Sequence, residues 1–193
     1  MPSFLVLYGT GEGQTAKVAT RIVDVLAERG HDATAVDVDE VPPDLVVDDF
    51  DAVFVGASIH AGKHQRAVRE WVQSNRQALA EKPTAFFQLS LSSADEEGEA
   101  QAAGYVEEFV DATDWHPDRI GLFGGALRYS EYGFLKRLMM KQIAKRALPD
   151  VDTSADTEFT DWSEVDAFAA DAAAFVENRL AVAPPAPEEE SDG

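Results

Sequence analysis

The sequence predicts a single α/β domain: a parallel sheet of five strands, covered by helices on both faces. Two observations predict it. Five short apolar runs alternate with stretches whose apolar residues recur at helical spacing. The chain is 193 residues long, close to the ~150 of one domain and enough to bury a core without a disulfide or metal staple.

The elements follow in order. Phe4–Tyr8 is a continuous apolar strand that opens into Gly9-Thr10-Gly11-Glu12-Gly13-Gln14-Thr15. From Thr15 to Arg29, Val18, Ile22, Val25 and Leu26 share one helical face, and Gly30 sits where a helix commonly ends. Ala33–Val38 is a second strand. Pro42-Pro43 and the acids up to Asp51 form a polar connection. Ala52–Ser58 is a third strand, AVFVGAS, buried on both faces by its pattern. His64–Leu79 reads as a helix, Thr84–Leu91 as a fourth strand, Tyr105–Val110 as part of a helix, and Ile120–Leu127 as a fifth strand. Asp161 and Glu164 have capping-box spacing ahead of a last helix, Trp162–Leu180. The domain thus spans residues 1–180. Residues 181–193, Pro-rich and acidic, are expected to be disordered. In such sheets ligands sit beyond the carboxyl ends of the strands. The loops to watch begin at Gly9, Ser58, Leu91 and Ala126.

Composition excludes several functions. The chain has no cysteine, so disulfides, thiolate metal sites and a cysteine nucleophile are ruled out. Four scattered histidines make no metal centre by spacing. No apolar run approaches the ~20 residues of a membrane span, and the N-terminus lacks the pattern of a signal peptide. The cytoplasm is the default expectation. The net charge of −20 argues against nucleic-acid binding. Combined with an ordinary 45% hydrophobic content, it matches proteins from salt-saturated cytoplasm, where ionic strength screens self-repulsion; an acidic protein of an ordinary cytoplasm is the plainer account. No G-x-S-x-G elbow is present.

Residues 9–15 carry the first chemical signal. A Gly-rich turn into a helix presents backbone N–H groups and the positive helix end to an anion, and Thr10 and Thr15 add hydroxyls. A dinucleotide fingerprint fails because its third glycine falls on Gln14, and a Walker A motif fails for lack of its lysine. The remaining pattern, Thr10-x-x-Gly13-x-Thr15, suits a terminal phosphate monoester such as that of FMN. A plain strand–helix turn is the other reading of these residues. Glu12 would repel a phosphate and is expected to point outward.

With these residues on the page, the chain resembles the flavodoxins, and more closely the flavodoxin-type, menaquinone-dependent protoporphyrinogen IX dehydrogenases. The resemblance rests on Glu12-Gly13-Gln14-Thr15, GASIHAGKH (56–64), GALRYSEY (125–132) and TDWSEVDAFA (160–169), with a weaker match at DWHPDRIGLFGG (114–125). It covers nearly everything but the tail. It implies a flavodoxin-like three-layer sandwich with strand order 2-1-3-4-5 and one FMN at the strand ends. It also implies oxidation of protoporphyrinogen IX to protoporphyrin IX, with electrons passed to a quinone. By position, Thr10, Gly11, Glu12, Gly13, Gln14 and Thr15 would form the phosphate loop. Ser58, Ile59, His60 and Gly62 would form one loop beside the isoalloxazine, and Leu91, Ser92 and Ser93 would start the other. The segment after Leu91, SSADEEGEA, is more acidic than the family's.

The residues add detail beside the resemblance. Ser58–His64 and Leu91–Ala94 contain no tryptophan or tyrosine to sandwich a flavin. An open ring face suits a two-electron enzyme better than a one-electron carrier. Residues 128–146 hold six of the 16 basic residues and one acid, a local charge of +5. On a helix, Arg137, Lys141 and Lys145 would form one stripe, with Met139 and Met140 among the apolar residues beside it. Such a segment suits a flat apolar macrocycle carrying propionates, or peripheral contact with an anionic membrane at its inner face. An ordinary helix paired with the acidic surface is the plainer account. Arg128 could fork onto a carboxylate or the FMN phosphate, and Tyr129 stack on a ring or simply pack half-buried; His60 could shuttle a proton or merely face solvent in its loop. Trp71, Trp115 and Trp162 read as packing residues. An electron-carrier flavodoxin, an NAD(P)H:quinone reductase and a non-catalytic flavin-binding module are the alternatives.

Overall fold

The structure is a computed structural model that describes residues 2–11, 13–60, 63–90, 96–123, 126–127, 157–158 and 161–181. Its elements, in chain order, are β1 (Ser3–Tyr8), α1 (Gln14–Glu28), β2 (Asp32–Asp37), β3 (Ala52–His60), β4 (Lys63–His64) and α2 (Arg66–Ser74). There follow α3 (Arg76–Ala80), β5 (Thr84–Leu89), α4 (Glu96–Thr113), β6 (Arg119–Phe123), β7 (Ala126–Leu127), β8 (Thr157–Glu158) and α5 (Trp162–Ala181).

Five parallel strands form the sheet in the order β2-β1-β3-β5-β6. Counted along the parallel strands alone, this is the expected 2-1-3-4-5. The difference is a sixth, two-residue member, β4, which folds back antiparallel on β3. β7 and β8 pair separately as a two-stranded antiparallel sheet.

Side chains alternate across the sheet and both faces are apolar. Phe4, Val6, Phe54 and Phe87 meet Val18, Ile22 and Leu26 of α1 and Val165, Ala169 and Ala173 of α5 on one face. Leu5, Leu7, Val53, Val55 and Phe86 meet Val68 and Val72 of α2 and Phe109 of α4 on the other. Burial on both faces explains why β3 and β5 read as largely apolar runs rather than alternating ones. Gly56 is required here by space: a Cβ would lie 2.1 Å from the Phe87 ring. Trp115 is buried against Phe86 and Phe109, and Trp71 and Trp162 pack on the two cores, as packing residues should.

Local chemistry sets the boundaries. Gly30 takes a left-handed φ of 90° after α1, and its N–H closes on the Ala27 carbonyl. Asp161 caps α5 by accepting both the Ser163 hydroxyl and the Ser163 N–H, the latter at 3.0 Å; the hydroxyl bond first, and the N–H bond after it, hold its carboxyl below the usual range. The Glu164 backbone N–H donates to the Asp161 carbonyl at 3.1 Å, and it too lowers the Asp161 carboxyl.

Two sequence expectations are corrected. The helix read from His64 to Leu79 starts later and is broken. His64 belongs to β4, and Asn75 ends α2 by turning both its backbone N–H and its side-chain amide onto the Trp71 carbonyl. The strand read from Ile120 to Leu127 is two pieces, β6 and β7, in different sheets. Gly124-Gly125 separates them in sequence, a weak strand interior. Of the tail read as 181–193, Ala181 is instead the last residue of α5, and 182–193 lie outside the described residues.

Candidate functional site

The sheet register brings the loops to one end. Tyr8 is opposite Gly56, Ser58 opposite Leu89, and Leu89 opposite Phe123. The chain therefore leaves β1, β3, β5 and β6 at a common carboxyl edge, where ligands bind in parallel sheets. Gly9 N–H donates to the Gly56 carbonyl at 3.0 Å, and Ser90 N–H to the Phe123 carbonyl at 2.9 Å, so pairing continues one step into the loops.

After β1 the chain turns at once into α1. Gly13 occupies the position ahead of the helix with φ 88° and ψ −8°, a left-handed conformation that favours glycine. Its N–H donates to Thr10 Oγ1 at 2.8 Å, which closes the turn. Thr10 thereby keeps its own hydroxyl hydrogen as a donor. Among the described residues Gly13 gives α1 no side-chain cap and no acid lies in its first turn, while Thr15 and Gln14 are buried at its start. Apart from its two chain neighbours, no atom of the described residues stands within 4 Å of where a Gly13 Cβ would be. A positive helix end and neutral hydroxyls form a donor set that fits a phosphate monoester. Glu12 lies outside the described residues.

The loop after β3 is a hairpin. Ile59 pairs with His64 and His60 with Lys63. Ser58 is held from below: its N–H donates to Gln65 Oε1 at 3.0 Å, and its hydroxyl accepts from Gln65 Nε2. The Ser58 backbone N–H is thus taken by the protein, and the hydroxyl is what the residue can offer a ligand. His60 ends β3; its side chain, like Gly62, lies outside the described set. Leu91, Ser92 and Ser93 also lie outside it, as do Arg128, Tyr129, Arg137, Lys141 and Lys145 and the whole segment 128–146.

Sequence reading missed two side chains beneath the loops. His64 is a core residue. Its Nε2 is 2.7 Å from Gln88 Oε1, and its ring packs on Phe86 and Phe109. Gln88 Nε2 donates to the Ala102 carbonyl at 2.9 Å, so Oε1 is the acceptor and His64 Nε2 the donor. Burial pushes the His64 pKa down. Arg69 pushes the same way, against the Gln88 bond and Glu108. Arg69 Nε is itself buried without a partner. The available signal was Gln88, the one amide in the wholly buried strand TAFFQL. At the other loop Tyr8 closes β1; burial and the nearby Asp37 and Glu40 raise its hydroxyl pKa.

A parallel sheet with a phosphate-sized turn after its first strand defines the class. Residues 5–154 match the family described as Flavodoxin domain, and the chain belongs to that family. Among curated proteins it is similar to protoporphyrinogen IX dehydrogenase (quinone) of Escherichia coli strain K12, 32% identical over 166 residues. That match spans 86% of this chain and 91% of the relative. It is 33% identical over 179 residues to the protein of the same name from Leishmania major, across 90% of this chain and 76% of that one. Among solved structures, a Fusobacterium nucleatum flavodoxin bound to flavin mononucleotide superposes with a TM-score of 0.51 at 10% identity. It covers 93% of this chain and 99% of its own. Among the described residues no helix is long and apolar enough to cross a membrane.

Proposed function

We propose that the chain binds FMN at the carboxyl edge of its sheet, oxidises protoporphyrinogen IX to protoporphyrin IX, and passes the electrons to a quinone. One observation carries the reading: the relatives of that name match along nearly the whole chain. The turn at 9–15 supports it, because its donors suit the phosphate end of that cofactor.

In this reading Thr10, Gly11, Gly13, Gln14 and Thr15 hold the phosphate, with Glu12 turned away from it. Ser58, Ile59, His60 and Gly62 border the ring on one side and Leu91, Ser92 and Ser93 on the other. Bound FMN supplies the two-electron chemistry. The protein's task is to place the macrocycle and to supply donors at the flavin edge. Arg128 and the stripe Arg137, Lys141 and Lys145 meet the propionates, with Tyr129 against a ring. The same basic segment gives the chain a means of lying on an anionic membrane, where a lipid-soluble quinone is held.

The test is purification in high salt, an absorption spectrum, and anaerobic titration with protoporphyrinogen IX followed by a quinone. Bleaching by the first and recolouring by the second are expected. A colourless chain that takes up no FMN overturns the proposal. Charge reversal at Lys141 and Lys145 should weaken porphyrinogen affinity far more than it lowers the melting temperature; unchanged affinity removes their assignment.

A further inference from the structure

We propose that Gln65 is a positioning residue for the cofactor: it ties the loop after β3 to the start of α2, close beside the turn after β1, and leaves the Ser58 hydroxyl as a hydrogen-bond donor. The inference rests on the reading of this edge as an FMN site.

Gln65 immediately precedes α2 and is half-buried. Both ends of its amide are used on one residue: Oε1 accepts the Ser58 N–H at 3.0 Å and Nε2 donates to Ser58 Oγ. Chemistry fixes this orientation, since a flipped amide would set two donors, Nε2 and the Ser58 N–H, against each other. The stem of the same side chain lies against the other loop. A Cβ on Gly9 would stand 3.3 Å from Gln65 Cδ and 2.5 Å from Val68 Cγ2. Gly9 is in turn bonded to the Gly56 carbonyl, two residues before Ser58. One glutamine therefore holds one loop assigned to the cofactor and leaves no room for a side chain on the first residue of the other.

A serine hydroxyl has one hydrogen to give and two lone pairs to receive. Gln65 fills a lone pair and cannot take the hydrogen. The donor that remains suits a ligand edge rich in acceptors, as the polar edge of a flavin is. Glutamate at position 65 would reverse this. Its carboxylate accepts from the Ser58 N–H and also from the hydroxyl, so the clamp survives and the donor is consumed. Methionine would remove clamp and donor control together.

The experiment titrates the apo chain with FMN by flavin fluorescence and measures the bound flavin's midpoint potential. It compares wild type, Ser58→Ala, Gln65→Glu, Gln65→Met and the Ser58→Ala/Gln65→Glu double variant, with circular dichroism to verify folding. Ser58→Ala and Gln65→Glu should each weaken FMN binding about three- to tenfold, the worth of one hydrogen bond. Gln65→Met should weaken it more. Gln65→Glu should shift the potential less in the Ser58→Ala background than alone, because the two act through one contact and the added charge is common to both. If Gln65→Met does not fold, Gln65→Glu, which keeps the backbone contact, carries the test. Variants that bind as tightly as a wild type that does take FMN overturn this inference alone. A wild type that takes none overturns the functional reading and this inference with it.

Discussion

Gly13 and His64 show two ways a residue can serve a site. Gly13 is valuable for its backbone: φ is 88°, and an added methyl meets no atom of the described residues beyond its chain neighbours, so its cost lies in forcing a side chain into a left-handed conformation. Gly13→Ala should cost about 1 kcal/mol in urea unfolding and weaken FMN binding, while Gly13→Asn, which tolerates that conformation better, should lose less. His64 is valuable for staying neutral. Its pKa is depressed by burial, so the unfolded chain binds a proton more readily than the native one. The stability it contributes is complete above the ordinary imidazole value of about 6.5 and is lost as pH falls through the lower native value. Urea melts between neutral and mildly acid pH should show a steeper loss for wild type than for His64→Asn; equal slopes would assign the acid sensitivity elsewhere.

Elements are joined by a few identifiable contacts. α4 is fastened to β5 by the Gln88–Ala102 bond and by Phe109, whose ring stacks on Phe86 with centroids 4.6 Å apart and 18° between planes. Phe109 also touches His64 edge-on, so one side chain supports the hairpin after β3 as well as α4. Phe109→Ala should destabilise by roughly 3–5 kcal/mol and loosen FMN binding beyond what global unfolding explains. Fluorescence titration at low temperature, where the variant stays folded, checks the second part. On the opposite face, α1 and α5 are clipped twice. Arg21 forks onto Asp166 at 2.6 and 2.8 Å, and Arg29 forks onto Glu177, which His31 also reaches. The arginines hold both carboxyls below their usual range.

At the scale of the whole molecule, charge decides the behaviour. The chain carries 36 acids against 16 bases, and described arginines on both faces already have carboxylate partners. Salt weakens those exposed pairs, each worth little, and also weakens the repulsion among the many acids left over. The second effect is larger because the excess is large. The melting temperature should therefore rise as KCl goes from about 0.1 M to above 1 M, where the screening length shrinks from ~10 Å to ~3 Å. A melting temperature that falls or stays level would show that the acidic surface is not a salt adaptation. Loss of structure on desalting is the same prediction at its limit.

The parallel sheet and the Gly-rich turn after its first strand were legible in the residues, because each depends on local pattern: apolar runs, helical spacing, and glycines beside hydroxyls; the strand order came only with the family resemblance, since a run of residues does not say which strands become neighbours. The boundaries of α1 and α5 follow from Gly30 and Asp161 for the same reason. Gln65, His64 and Gln88 were not legible. Each is defined by a partner that only folding brings near: His64 meets Gln88, 24 residues away, and Gln65 turns back across a hairpin to Ser58. Which polar groups stay free for a ligand depends on those long-range bonds, and a linear pattern carries no record of them.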